Sequence, residues 1–313
     1  MRKKVIYEIK SLYRDNFRVT GYEFGKGKKS VCIVGSTRGN EVQQLYCCAQ
    51  LIKRFKQMEK EGKIAKDHKI LIIPSINPYS MNIQKRFWPT DNTDINRMFP
   101  GYHLGETTQR IADGVFKVIS QYEYGIQFAS FYMPGEFTPH VRMMKEGFED
   151  VELAKQFGMP YVVLREVRPY DTTTLNYNWQ VWDTHAFSMY TTTTTTVDKS
   201  SAHEAMRGIL TFLNKRGIVE YHGHDGYISQ VVEDVDMVSV QTRKSGIFES
   251  LVKVGDEVEK GQKIAYVMDA YEGNVIDKLT APVDGMVFFM HSDPMTYANT
   301  AVFKLVQRKL SFG

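Results

Sequence analysis

Residues 31–52 read VCIVGSTRGNEVQQLYCCAQLI, and this stretch decides the fold. The apolar run 31–34 predicts a buried strand, and the glycine-containing segment 35–39 predicts a turn. A helix is predicted to begin at Asn40, with Glu41 in its first turn. In such a strand–turn–helix unit the helix start lies over the C-terminal edge of a sheet, where α/β proteins bind ligands. Glu41 is therefore the first candidate for a functional residue.

The sequence around this unit predicts further strands and helices of an α/β domain. Residues 69–74, KILIIP, form a second continuous apolar run, which is typical of a strand buried on both faces of a sheet. The other elements predicted are a β-hairpin within 1–30, strands at 124–132, 160–167 and 185–193, and helices at 106–121 and 200–216. We predict a three-layer α/β domain over residues 1–236, with a mixed, mainly parallel sheet.

The C-terminal part has a different pattern, which predicts a small all-β domain over residues 237–313. Short apolar segments separated by turns follow one another, and they include the motifs G-D-x-V-x-x-G-Q (255–262) and A-P-x-D-G (281–285). This pattern resembles the barrel-sandwich fold of biotinyl and lipoyl domains. Those carriers hold a modified lysine at a hairpin tip, whereas the tip here, MDAYEGN (268–274), has no lysine. The expectation is therefore a structural domain and not a carrier.

Composition excludes several classes of function. The net charge of +4 over 313 residues is scattered along the chain, so we expect no nucleic-acid partner. No apolar run approaches the length of a membrane span, and the N-terminus lacks the apolar core of a signal peptide. The three cysteines, Cys32, Cys47 and Cys48, have neither a metal-binding nor a disulfide spacing. These features predict a cytoplasmic protein with reduced thiols and no membrane partner. A homo-oligomer is compatible with them.

Four features in the same order carry a resemblance to a known family. They are GSTRGNE (35–41), NTDINRMFPG (92–101), SFYMPG (130–135) and the barrel-sandwich tail. Together they resemble the succinylglutamate desuccinylase/aspartoacylase family, a branch of the zinc carboxypeptidase fold. The resemblance implies a zinc-carboxypeptidase-like domain and a hydrolase that cleaves the amide of an N-acyl amino acid to release a carboxylic acid.

The resemblance also implies where a zinc site would lie. In the family, a His and a Glu three residues apart in H-G-N-E supply two ligands, a later His supplies the third, and a Glu on a still later strand is the general base. Here Arg38 and Glu41 occupy the first two positions and Ala129 the third. Tyr190 stands at the position of the base. Glu41 is thus the only residue of the ligand type that is retained.

Arg38 and Ala129 change the expected chemistry of the site. A catalytic zinc needs three protein ligands and an open position for water. A guanidinium has no free lone pair, and alanine has no donor atom, so we expect no bound zinc and no other cofactor. Arg38 is instead predicted to pair with Glu41, because a buried carboxylate that has lost its metal needs another cation. The alternative is that Arg38 points to solvent and that Glu41 benefits only from the helix N-terminus.

The remaining candidates predict a site for an anionic small molecule, a carboxylate or an N-acyl amino acid. Asn96 and Arg97 lie in the intact family segment with Asp94. With Arg38 and His140 they are the predicted substrate-binding residues, since arginines bind carboxylates in bidentate pairs. Arg86 is a further candidate for the mouth of the pocket.

Two functional interpretations remain open at this point. In the first, the chain is a non-catalytic binder that retains the cleft of the family. In the second, it is an active deacylase with a rearranged or metal-free centre, in which Glu41, Arg97 and His140 carry the chemistry.

Overall fold

The computed structural model describes residues 1–12 and 15–308. Its strands are β1 (Arg2–Ile9), β2 (Phe17–Gly25), β3 (Lys28–Ser36), β4 (His68–Ser75), β5 (Tyr124–Phe128), β6 (Gly135–Phe137), β7 (His140–Lys145), β8 (Tyr161–Glu166), β9 (His185–Tyr190), β10 (Gln230–Glu233), β11 (Met237–Gln241), β12 (Gly246–Ser250), β13 (Glu257–Val258), β14 (Lys263–Met268), β15 (Val275–Thr280), β16 (Gly285–His291), β17 (Met295–Thr296) and β18 (Ala301–Gln307). Its α-helices are α1 (Val42–Lys60), α2 (Pro78–Asn82), α3 (Thr107–Ile119), α4 (Val151–Lys155), α5 (Leu175–Val181) and α6 (Lys199–Lys215).

The described residues form two compact units. The first contains Met1–Ser130 and Pro139–Val231, and the second contains Phe131–Thr138 and the chain from Val232 onward. The predicted boundary lay between residues 236 and 237. The structure therefore differs from it by five residues and, more importantly, by the eight-residue segment that contributes β6 to the second unit.

The first unit is built on one mixed sheet with the strand order β1-β2-β4-β3-β5-β9-β7-β8-β10. The central neighbours β4, β3, β5 and β9 pair in parallel, and β7 pairs in parallel with β8. Strands β1, β2 and β4 pair antiparallel, as do β7 and β9. The mixed α/β fold predicted from the sequence is thus present.

Alternation along β3 explains why helices cover both faces of this sheet. Val31 and Ile33 pack in a cluster with residues of α1 and α6, and Cys32 packs in another cluster with residues of α3 and α5. Successive side chains of a strand point to opposite faces, so a continuous apolar run requires two cores. The full burial of all of these β3 side chains follows from this arrangement.

The ends of several predicted elements were wrong. The helix predicted from Asn40 begins at Val42, and Glu41 occupies the N-cap position without capping the helix through its side chain. Its carboxylate instead accepts hydrogen bonds from the preceding turn. The strand predicted at 124–132 ends at Phe128, because the chain enters the second unit at Phe131. The strand predicted at 185–193 ends at Tyr190.

The second unit consists of short antiparallel strands in two sheets. One sheet has the order β11-β18-β16-β13 with β6 paired to β16, and the other has the order β15-β14-β12-β17. A separate apolar cluster, which includes Ile264, Val287 and Phe303, forms its core. The all-β character predicted for this part is present, and its likeness to biotinyl and lipoyl domains stays a prediction.

The three cysteines lie in the core of the first unit, and all are free thiols. Burial raises the pKa of Cys32 and Cys48 well above the ordinary value, and it raises that of Cys47 to about 12. Such thiols are unreactive, because the thiolate is the nucleophile and the metal ligand. Along the described ranges, the helices are too short or too polar to cross a membrane.

One carboxylate in the first unit lies in an unfavourable environment. Both oxygens of Glu146 are shielded from solvent and have no hydrogen-bond partner within the described part of the chain. Burial, with a smaller contribution from the charge of Glu149, raises the pKa of Glu146 to about 7. The charged form is therefore disfavoured in the folded protein.

We predict that Glu146→Gln stabilises the protein at pH 8 by about 1 kcal/mol, after discounting for solvent screening, and has little effect at pH 5. The pKa of Glu146 is raised on folding, so the folded state holds the proton more tightly. The unfolding free energy of the natural protein should accordingly fall as the pH rises from about 4.5 to about 7. Urea unfolding at both pH values measures the difference.

Glu149→Gln is the matched control. Burial tends to raise the pKa of Glu149, but hydrogen bonds from backbone N–H groups, including those of Glu146 and Gly147, outweigh it and lower the pKa. The ionised carboxylate of Glu149 therefore stabilises the folded protein at pH values above its ordinary pKa. Glu149→Gln should accordingly destabilise the protein at pH 8. Equal effects of the two substitutions would contradict the account of Glu146.

Candidate functional site

The predicted site residues meet at one edge of the large sheet. Strands β3, β5 and β9 are parallel neighbours, so their C-terminal ends lie at the same edge. Arg38 and Glu41 follow β3, Ser130 follows β5, and Tyr190 is the last residue of β9. This edge is where parallel sheets bind ligands.

The predicted ion pair between Arg38 and Glu41 is present. Arg38 Nη1 lies 3.1 Å from Glu41 Oε1. The same guanidinium also makes a two-pronged contact with Asp94, in which Nε lies 3.1 Å from Oδ1 and Nη2 lies 2.9 Å from Oδ2. Arg38 therefore bridges two carboxylates, of which the sequence predicted only one.

Local backbone geometry holds Glu41 in place. Its Oε2 accepts hydrogen bonds from the backbone N–H groups of Thr37 at 2.7 Å and Arg38 at 3.0 Å. Its Oε1 accepts the Ser130 hydroxyl at 2.5 Å in addition to Arg38 Nη1. Both carboxylate oxygens are thus occupied by hydrogen-bond donors.

The ion pairs of Arg38 are shielded from water. The side chains of Arg38, Glu41 and Asp94 are only 6%, 1% and 12% exposed. Burial acts to lower the pKa of Arg38, but the charges of Glu41 and Asp94 outweigh it and raise the pKa above its ordinary value. The guanidinium is consequently a permanent positive charge in this site, fixed by charge-assisted hydrogen bonds.

The residues at this edge do not fit the zinc ion that the family resemblance implies. Arg38 has no lone pair to donate, and the side chain of Ala129 has no donor atom. Glu41 Oε1 faces a guanidinium that would repel a divalent cation, and Oε2 already accepts two backbone N–H groups. Within residues 1–12 and 15–308, no three His, Cys, Asp or Glu side chains are grouped so as to hold a metal ion.

Tyr190 and His140 face each other across β9 and β7. The two residues are register partners, and their rings stack with centroids 4.5 Å apart and an interplanar angle of 8°. The guanidinium of Arg142 lies 4.6 Å from the centre of the Tyr190 ring. Tyr190 and His140 are both 2% exposed, so both side chains are buried at this edge of the sheet. Their assigned roles in catalysis and ligand binding stay predictions.

Two further arginines lie beside the buried ion pairs. Arg97 Nε is 3.7 Å from Asp94 Oδ2, and its Nη1 donates to the backbone carbonyl of Tyr170 at 2.6 Å. Burial lowers the pKa of Arg86, and the positive charge of Arg38 lowers it further. The positive charge of Arg97 also lowers the pKa of Arg86, whereas the negative charges of Glu41 and Asp94 act to raise it. We refer to Arg38, Glu41, Arg86, Asp94 and Arg97 as the arginine–carboxylate cluster.

Asn96 is buried beneath this cluster. Its Oδ1 accepts a hydrogen bond from Gln127 Nε2 at 2.8 Å, and its backbone N–H donates to Asp94 Oδ1 at 3.1 Å. The structure thus ties Asn96 to the end of β5 and to the turn that carries Arg97. Sequence reasoning did not identify Gln127 or Ser130, because their partners lie far away along the chain.

Comparison with known proteins places this site in context. The model of the succinylglutamate desuccinylase/aspartoacylase catalytic domain matches residues 27–214, which include the whole arginine–carboxylate cluster. The N-alpha-acetyl-L-2,4-diaminobutyric acid deacetylase of Halomonas elongata is 26% identical over 284 residues, covering 85% of this chain and 76% of the deacetylase.

Solved structures share the fold over nearly the whole chain. A succinylglutamate desuccinylase/aspartoacylase from Rhodobacter sphaeroides superposes with a TM-score of 0.78 at 20% identity, covering 94% of this chain and 90% of its own. The product-bound ectoine utilization protein EutE (DoeB) from Ruegeria pomeroyi gives a TM-score of 0.79 at 19% identity, with the same coverage. Because the family model spans more than half of the sequence, the chain belongs to the succinylglutamate desuccinylase/aspartoacylase family.

Proposed function

We propose that this chain is a member of the family that works without a catalytic zinc and binds an anionic small molecule at the C-terminal edge of its large sheet. The observation that supports this most directly is the position of Arg38. Its guanidinium fills the space between Glu41 and Asp94 with charge-assisted hydrogen bonds. A fixed side-chain cation thereby occupies the position that the family resemblance predicts for a metal ligand, which supports the proposal.

The charge of the cluster favours an anion. In their ionised forms, its three guanidinium groups outnumber its two carboxylates, which leaves one net positive charge on the cluster. Arg38 is engaged with two carboxylates, so we assign direct contact with the ligand mainly to Arg97, whose side chain is 34% exposed. A carboxylate is the chemical group that a guanidinium binds most specifically.

The relatives narrow the class of ligand. The homologue from Halomonas elongata is a deacetylase of an N-acetylated amino acid. We therefore infer that the ligand of this chain is an N-acyl amino acid or a related carboxylate. Asn96 and His140, with Arg38, complete the proposed binding residues, and Asn96 acts by fixing the turn that carries Arg97.

The named activity of that homologue also favours a second candidate function. In it, the chain hydrolyses N-acyl amino acids at a rearranged centre, with Glu41 as a catalytic carboxylate. This alternative requires that Glu41 leave its hydrogen bonds to Thr37, Arg38 and Ser130 and accept a proton from water. The buried ion pair with Arg38 makes that step unfavourable, and for this reason we prefer the binding function.

We predict that Arg97→Gln weakens the binding of a simple dicarboxylate such as succinate by about tenfold, since it removes one charge-assisted contact. Isothermal titration calorimetry measures the dissociation constant. Arg110→Gln, on the exposed face of α3, is the control that removes the same charge elsewhere. Equal affinities for the natural protein and the Arg97 variant would count against the proposed site.

A further inference from the structure

A cavity of about 380 Å³ opens at the edge of the large sheet opposite the arginine–carboxylate cluster. It is lined by the start of β1, the end of β2, the turn that follows β2, the last turn of α1 and the start of β4. Because β4 runs parallel to β3, its first residues lie at the N-terminal edge of the parallel strands. The cluster lies at their C-terminal ends, so the cavity is a separate place in the first unit.

The acidic side chains that line this cavity are already paired. Glu23 is 7% exposed, and its carboxylate lies 2.7 Å from Arg2 Nη2 and 3.6 Å from Lys4 Nζ. Glu59 Oε2 forms an ion pair with the amino group of Met1. Both carboxylates are therefore neutralised by cations of the protein itself.

Two lysines of the cavity have no such partner. Lys26 lies in the turn after β2, and Lys69, at the start of β4, is the register partner of Gly25. In the part of the chain that the structure describes, neither ammonium group forms an ion pair or a side-chain hydrogen bond. Both lysines line the cavity, so they leave two uncompensated positive charges there.

The turn that carries Lys26 is fixed by a glycine on either side. Gly25 and Gly27 have φ values of 69° and 106°, in the region that favours glycine. A Cβ atom at Gly27 would lie 2.5 Å from the backbone of Asp67, so the turn packs directly on the chain before β4. The backbone of Lys26 is thereby held at the wall of the cavity.

The same turn already binds an anionic group through its backbone. The N–H group of Gly25 donates to Glu59 Oε1 at 3.0 Å. The next two N–H groups, those of Lys26 and Gly27, donate to no acceptor among the described residues. Successive N–H groups of a turn can form a concave site for anions. The turn therefore offers two further donors beside the two lysines.

We infer that this cavity binds the phosphate group of a small molecule, with Lys26 and Lys69 as its charged contacts and the N–H groups of residues 26 and 27 as further donors. A phosphate group carries close to two negative charges near neutral pH and has several acceptor oxygens, which matches this set of donors. A single carboxylate would neutralise only one of the two lysines. Pockets for small molecules begin at about 300 Å³, so the volume suits a phosphomonoester better than the free ion.

Isothermal titration calorimetry of the full chain, with glycerol 3-phosphate and with inorganic phosphate, tests this inference. Both should bind saturably, and tighter binding of glycerol 3-phosphate would identify a phosphomonoester as the ligand. Equal affinities would identify free phosphate as the ligand of the same site. Lys26→Gln and Lys69→Gln should each weaken the binding of both probes by about tenfold, because each removes a charge-assisted contact. Lys253→Gln removes the same charge from an exposed position of the second unit and should leave binding unchanged.

Glu59→Gln should have the opposite effect and tighten binding by about threefold. It removes a negative charge from the cavity, while its amide oxygen is still able to accept the N–H group of Gly25. A variant that merely loosened the fold would weaken binding, so the two signs separate a binding role from a structural one. Circular dichroism confirms that each variant is folded.

Three results would overturn the inference, which is independent of the proposed ligand site at the other edge of the sheet. The first is the absence of saturable binding of either probe up to about 10 mM. The second is binding that both lysine variants retain at the natural affinity. The third is weaker binding by Glu59→Gln.

Discussion

Replacing Arg38 with methionine is expected to destabilise the protein by about 3–5 kcal/mol at pH 8. The substitution keeps much of the side-chain volume but leaves Glu41 and Asp94 buried without their shared cation. Removing one partner of a buried ion pair exposes the full cost of desolvating the other, and here two carboxylates lose the same partner. Urea unfolding monitored by circular dichroism measures the loss.

The pH dependence of this variant identifies the cause of the loss. Unpaired buried carboxylates have raised pKa values, so they take up protons in the folded state more readily than in the unfolded state. The destabilisation should accordingly shrink as the pH falls toward 5. Arg110→Met on the exposed face of α3 is the control and should change stability by less than about 0.5 kcal/mol. A loss that is small, or that is the same at pH 5 and pH 8, would contradict the bridging role of Arg38.

The double variant Arg38→His/Ala129→His is expected to gain zinc affinity by a factor on the order of 10³ or more. It supplies two imidazoles at the positions that the family resemblance predicts for histidine ligands, and it releases Glu41 from the guanidinium. We expect no hydrolysis of N-acyl amino acids by this variant, because Tyr190 still occupies the position predicted for the general base. Calorimetric zinc titration and an amide-hydrolysis assay are the two measurements.

Ala129→His alone is the informative control for that experiment. It adds one ligand but keeps the Arg38 charge beside Glu41, so it should bind zinc no better than the natural protein. Tight zinc binding by this single variant would show that Arg38 does not exclude a metal. Turnover by the double variant would show that Tyr190 does not block the reaction.

Sequence reasoning was most successful where one local pattern determines the structure. The apolar run of β3 predicted a buried strand, and the three-residue spacing of Arg38 and Glu41 placed both side chains at one turn. The pair was predictable because a buried carboxylate needs a cation. The contact of Arg38 with a second carboxylate was not predictable, because Asp94 lies 56 residues after Arg38 in the chain.

Contacts between distant segments account for what the sequence did not reveal. The hydrogen bond from Ser130 to Glu41 depends on the register of β3 against β5. The assignment of Phe131–Thr138 to the second unit depends on the pairing of β6 with β16, which joins segments about 150 residues apart. Neither interaction leaves a periodic pattern in the sequence, so only the folded chain shows it.

We propose above that the guanidinium of Arg38 replaces the metal ion that the family resemblance implies. The most direct test is the zinc content of the natural protein after incubation with excess zinc and removal of unbound metal, measured by inductively coupled plasma mass spectrometry. We predict far less than one zinc ion per chain, with no difference between the natural protein and Glu41→Ala. One zinc ion per chain that is lost in Glu41→Ala would contradict the claim.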